Sequence, residues 1–364
     1  SDLFLMAGAA PTIKRQGAFI PIAQQVLSAH DVRQMAYSIL REAQRKEFEA
    51  TMECDLSLQT ADGERFRVNV YMQRGQVGMV IRHVIARIPT LEELGLPPVL
   101  QRLAFLKGGL VLTVGSAGSG KTTTLAALLD HRNTHTGGHI LTVEDPIEYL
   151  HSHKKSLVTQ REVGIDTLSY DEALRRAMRE APNVIMIGEI RDRATMQHAL
   201  HYAESGHLCV STLHANNANQ AVQRIVNFFP EDAHRQLLMD LSLNLRAVIA
   251  QRLIQGLAGH LVPATEIMLL TPYVAEVIQK GQIDELKTAI TRSGEQGMWS
   301  FDQSLLGMVE AGAISPEEAI ANADNRTDVR LRLRLAAGAS LGGEGMQMAP
   351  EEPPPDEPPP TTLR

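Results

Sequence analysis

Residues Gly115-Ser116-Ala117-Gly118-Ser119-Gly120-Lys121-Thr122 form an uninterrupted G-x-x-x-x-G-K-[ST] phosphate loop, and no other feature of this chain narrows its fold so far. The run 109–114 ahead of it is apolar and β-branched, as a buried strand requires, and 123–129 after it reads as a helix. Glycines and small residues let backbone N–H groups curl around an anion at the helix N-terminus, where the dipole adds positive potential. Lys121 can neutralise β- and γ-phosphates, and the Thr122 hydroxyl can ligate Mg²⁺. Strand, loop and helix in this order demand a βαβ sheet. They point to ATP with Mg²⁺ as ligand, contacted by residues 115–122 and by Thr123 just inside the helix. A chance match in a glycine-bearing loop would not come with both flanking elements.

The pattern repeats downstream. Residues 110–114, 139–143, 184–187 and 208–212 read as short apolar strands separated by helical stretches, which implies a parallel sheet with its ligands at the strands' carboxyl ends. Residues 263–335 read as mainly helical, with Thr271-Pro272 and Ser315-Pro316 at helix starts. The first 88 residues suggest a small α+β domain with a turn at 16–21, one or two helices across 29–49, and strands at 65–71 and 77–82. Three prolines make 88–98 the linker. The expected organisation is therefore 1–88, a linker at 89–98, a sheet domain at 99–335, and a disordered Pro-rich tail at 336–364.

With 364 residues, 44% hydrophobic and 21% charged, the chain can bury the cores of two or three domains. A net charge of -7 argues against a nucleic-acid surface. The only cysteines, Cys54 and Cys209, exclude a disulfide framework or a CxxC zinc site and suit a reducing compartment. No apolar run reaches the ~18–20 residues that span a bilayer, and the first residues lack the pattern of a signal peptide. A cytoplasmic location follows as an expectation, with peripheral attachment to a membrane left open.

Three further groups could carry chemistry. Strand 139–143 ends in Glu144-Asp145-Pro146-Ile147-Glu148, carboxylates placed to orient Mg²⁺ or polarise a water. Glu148 is the catalytic candidate, whereas Asp145 is equally a turn or cap residue. Glu189 follows the apolar run 184–187 in the manner of a Walker B acid, reaching Mg²⁺ directly or through water. Gly188 stands where many such enzymes carry Asp, so Glu189 has the acidic work alone. His214 emerges past strand 208–212, flanked by Thr212 and Asn216. It could donate to a γ-phosphate oxygen, or be only a satisfied polar residue.

Taken in this order, the four segments resemble those of the secretion-type hexameric ATPases, the motors of type IV pili and type II secretion. They correspond to the family's Walker A motif, Asp box (140–149), Walker B motif (184–189) and His box (206–214), and the resemblance runs from residue 1 to about 335. It implies a PAS-like α+β N-terminal domain followed by a RecA-like P-loop ATPase domain with a helical C-terminal part. The chain looks like the pilus-retraction branch, since it carries neither the extra N-terminal domain nor the tetracysteine insert of assembly ATPases. Segments 213–221 and 227–230 are closer to that branch's PilU type. Residues 273–279 depart from the Ala-Ile-Arg helix of the PilT type, which speaks against autonomous, PilT-like retraction. The resemblance also implies a start inside the family's first domain.

The resemblance further implies catalytic roles for Glu148, Glu189, His214, Arg67 and Arg82. The two arginines, on strands of domain one, would reach the triphosphate as that domain closes about 88–98. Thr122 and Glu189 would hold Mg²⁺. The implied assembly is a cytoplasmic homohexamer, peripheral at the inner membrane, which drives pilus retraction and twitching motility. Its partners would be a PilT-type ATPase and a PilC-like platform protein, with no nucleic acid. The alternative is a nucleotide-gated ring that regulates or scaffolds PilT without hydrolysis.

Overall fold

The computed structural model describes residues 2–15, 18–60, 64–84, 87–292 and 297–336. Two sheets organise them, each with its own buried core. The first has six antiparallel strands: β1 (Asp2–Met6), β2 (Thr12–Arg15), β3 (Ala18–Pro21), β4 (Glu53–Gln59), β5 (Arg65–Gln73) and β6 (Gln76–Val84). Their order is β3-β2-β1-β6-β5-β4. Helices Ala29–Ile39 and Glu42–Thr51 bury Val32, Ala36 and Phe48 against Val68, Val70 and Met79 of the sheet. Ser28 caps the first helix through a reciprocal bond with Asp31.

The turn expected at 16–21 is corrected in part: 18–21 is strand β3, and residues 16 and 17 lie outside the described residues. All four residues of β3 are exposed at the sheet edge, so no buried face imposed an alternation that sequence could show. Strands β1, β2 and β4 were also not foreseen.

The second sheet has seven strands: β7 (Gly109–Val114), β8 (Gly138–Glu144), β9 (Ser156–Glu162), β10 (Val184–Ile187), β11 (Leu208–Leu213), β12 (Leu245–Gln255) and β13 (Leu261–Leu269). Their order is β13-β12-β7-β11-β10-β8-β9, parallel throughout except for the antiparallel β13. Every residue of β7, β10 and β11 is buried, because helices cover both faces. The four expected strands are present. The expectation of helix from 263 is corrected: 263–269 completes β13, which pairs with β12 through a turn at Gly259. Among the described residues five α-helices follow between Pro272 and Ala336, two of them starting at Thr271-Pro272 and Ser315-Pro316.

Of the stretch read as linker, Leu91 and Leu96 are buried in the second sheet's core, which anchors it there. Cys54 and Cys209 are free and lie in different cores. Among the described residues no helix is long and apolar enough to cross a membrane. The Pro-rich tail lies outside the described residues.

Candidate functional site

The parallel order places the ends of β7, β8, β10 and β11 side by side, so the phosphate loop, both acidic segments and His214 share one edge. The loop leaves β7 and enters the helix Lys121–His135, with Gly118 at φ +76° and Gly120 at φ +86° in the left-handed region. At Gly115 a Cβ would sit 2.6 Å from the Gln251 carbonyl of β12 and would also strike Ser119 Oγ. Lys121 Nζ donates to the carbonyls of Gly115 (2.9 Å) and Ser116 (2.8 Å). Burial pushes its pKa down, opposed by the charges of Glu189 and Glu148.

One atom marks the loop as a phosphate cradle. Ser119 Oγ is buried without a hydrogen-bond partner among the described residues, a hydroxyl left over for an anion. The residues fit a triphosphate. The hydroxyl of Thr122 and the carboxylate of Glu189 are hard oxygen donors and suit Mg²⁺. Thr123 is engaged elsewhere, its Oγ1 lying 2.8 Å from the Tyr149 hydroxyl, while Thr124 donates to Gln251 Oε1 at 2.7 Å.

Glu189 stands at the tip of β10 with both oxygens occupied. His214 Nε2 lies 3.0 Å from Oε1, and Arg191 Nε donates to Oε2 at 2.8 Å. Arg191 also reaches Asp145 at 3.4 Å, so this acid pairs across the gap between β8 and β10. Gly188 has a steric reason. A Cβ there would lie 2.9 Å from the Tyr170 hydroxyl and 3.3 Å from the Glu144 backbone, so an Asp would have to displace both. Glu144 is buried and accepts from Thr142 Oγ1 (2.6 Å) and Gln160 Nε2 (3.2 Å), and burial raises its pKa. Glu148 is exposed, and its charge reaches both Lys121 and Arg82.

Arg67 and Arg82 face each other in register on β5 and β6. Directly opposed residues of an antiparallel pair share a face, so both side chains rise from the same side of the sheet. They line a cleft of about 680 Å³ whose far wall carries Asp145, Pro146 and Glu162. Arg82 is tied to Asp2 by two hydrogen bonds, of 2.6 and 3.3 Å, which raise its own pKa and lower that of Asp2. The structure thus gathers Lys121, Glu148, Glu189 and His214 at one edge. It holds the two arginines across the Asp box, away from the loop. A second cleft of about 900 Å³ opens beside the helix start, lined by Gly120, Thr123, Leu253, Trp299 and Met308.

Sequence reasoning missed Arg191, Gln251, Tyr149 and Glu162. Arg191 alone had a local signal, two residues after Glu189; the others act across 26 to 127 residues of chain.

The sequence pattern of the family described as "Type II/IV secretion system protein" matches residues 65–301. The type IV pilus ATPase PilU of Pseudomonas aeruginosa is 48% identical over 338 residues, 93% of this chain and 88% of that protein. The type IV pilus retraction ATPase PilT of the same organism is 43% identical, covering 88% of this chain and 93% of its own length. A crystal structure of the pilus retraction motor PilT with bound ADP superposes with a TM-score of 0.85 at 36% identity, over 91% of this chain and 95% of that one.

Proposed function

The chain belongs to the type II/IV secretion ATPase family, among its PilT- and PilU-type members, and we propose on that basis that it is a hexameric ATPase coupling ATP hydrolysis to type IV pilus retraction, as a PilU-like accessory to a PilT-type motor. One observation carries the catalytic reading. Lys121 in the phosphate loop shares one sheet edge with Glu189 at the tip of β10 and Glu148 beyond β8, and the charges of both carboxylates reach its ammonium.

In this mechanism the amides of 115–122 and Lys121 bind the phosphates, and Ser119 Oγ supplies a further donor. Thr122 and Glu189 would hold Mg²⁺, whose charge neutralises the phosphate oxygens. Glu148, exposed beside Lys121, is free to orient the attacking water. Glu189 fixes His214 at 3.0 Å, aligning the imidazole at the same edge. Arg67 and Arg82 add positive charge when the first sheet closes on the second. The apolar cleft beside Thr123 offers room for the base. The assembly would act in the cytoplasm at the inner-membrane pilus base, on a PilC-like platform protein and without nucleic acid.

Purified protein should show Mg²⁺-dependent ATP hydrolysis that Lys121→Ala abolishes. The motor reading fails if no ATP is turned over even with a PilT-type ATPase and the platform protein present. A second reading, a nucleotide-gated ring that regulates PilT without hydrolysis, draws support from the occupation of both Glu189 oxygens by His214 and Arg191. Restoration of twitching to a deletion strain by Glu189→Gln would favour that reading.

A further inference from the structure

Glu162, the last residue of β9, is a buried carboxylate that the catalytic scheme does not use; its side chain is 5% exposed. Its donors come from the first sheet and from the segment that follows β8. Arg65 Nη2 of β5 donates to it at 2.7 Å, and Ser57 Oγ of β4 at 3.0 Å. Arg65 also donates to Ser57 Oγ at 3.3 Å, closing a three-membered network. From the segment after β8, the amide of Ile147 donates to Glu162 Oε2 at 3.2 Å. That amide lies inside the Asp box, one residue before Glu148. The backbone of Glu162 is itself held, its N–H donating to Asp166 Oδ2 at 2.9 Å.

One oxygen, Oε2, therefore receives both the Arg65 guanidinium and the Ile147 amide. A buried carboxylate that loses its cation is left with an unbalanced charge and must reorient or draw in water. Any movement of the first sheet that withdraws Arg65 thus perturbs the hydrogen bond that fixes the Asp-box backbone. We propose that Glu162 is a positioning residue that transmits the attitude of the N-terminal sheet to the Asp box. With Arg65 and Ser57 engaged, the Ile147 amide is pinned and Glu148 is aimed; with them withdrawn, the loop is released. The proposal rests on the ATPase reading only for its kinetic consequence.

The test uses the full chain with three measurements. These are amide hydrogen exchange of the peptide containing Ile147, the distance between probes on the two sheets with and without a non-hydrolysable ATP analogue, and steady-state ATPase kinetics. Arg65→Ala should speed exchange at Ile147 about tenfold and lower kcat about tenfold with KM within about twofold. Arg65→Lys should restore most of both. In a Glu162→Gln background, which keeps the carbonyl acceptor for Ile147, Arg65→Ala should change kcat less than about twofold further, since contacting residues are not additive. Unchanged Ile147 exchange in Arg65→Ala, or effects of the two substitutions that simply multiply, would overturn the coupling. A wild-type chain that hydrolyses nothing would sink the hydrolase reading alone, because exchange and distance still report on the coupling.

Discussion

Lys121 shows what one residue contributes at this edge. It is 8% exposed, its ammonium is satisfied by two loop carbonyls, and two carboxylates hold its charge against desolvation. Lys121→Ala should lower ATP turnover by at least roughly 10²-fold, the scale seen when one preorganised donor is removed from a transition state. A phosphate-release assay checks this. His151 makes a separate point about pH. Burial drives its pKa down to about 4, whereas an unfolded histidine titrates near 6.5. Between those values the unfolded chain binds the proton and the folded chain does not, so stability is lost as pH falls from 6.5 towards 4. The loss should be of order 2 kcal/mol, and His151→Gln should remove it in urea titrations at pH 7.5 and 5. Glu144 has the opposite sign. Its carboxyl is raised by burial, so its contribution weakens as pH rises above the usual carboxylate value.

At the scale of elements, glycines decide how close the strand ends approach. Gly188 lets β10 pass the Glu144 backbone and the Tyr170 hydroxyl. Gly188→Asp should therefore destabilise the protein by about 1–3 kcal/mol through overpacking, rather than supply a second Walker acid. Thermal melts beside activity measurements would show the two falling together; an active, equally stable variant would contradict the packing argument. Elements buried on both faces or punctuated by strong caps were legible in the sequence. The strands β7, β8, β10 and β11, and the Thr271 and Ser315 helix starts, are of that kind. Exposed β3 is apolar throughout without alternating, and β13 declares itself only through its pairing with β12. Each pairs with the strand just before it, β3 two residues after β2 and β13 five residues after β12, so it is the backbone ladder and not a side-chain pattern that makes them strands.

For the whole molecule, the proposed mechanism requires the arginines of the first sheet to approach the phosphate loop of the second. The stretch 88–98 is packed into the second core through Leu91 and Leu96, so it travels with that sheet. Arg82 must exchange Asp2 for phosphate before it can contribute. The pair is partly solvated and is worth only about 0.2–1 kcal/mol. Asp2→Asn should then leave the melting temperature nearly unchanged and lower KM for ATP by up to about fivefold. An unchanged or raised KM would mean that Arg82 does not move to the nucleotide.

By itself the sequence determined the phosphate loop, its flanking strand and helix, the acids at 148 and 189 and the α/β class, because each rests on neighbours within one turn or strand. Only the tertiary structure decided who meets whom. Glu189 pairs with His214 and Arg191, Arg191 reaches Asp145 on a neighbouring strand, and Glu162 meets Arg65 across 97 residues. Those contacts depend on sheet order and on how the two sheets abut, which arise from the burial of whole faces rather than from any local run of residues.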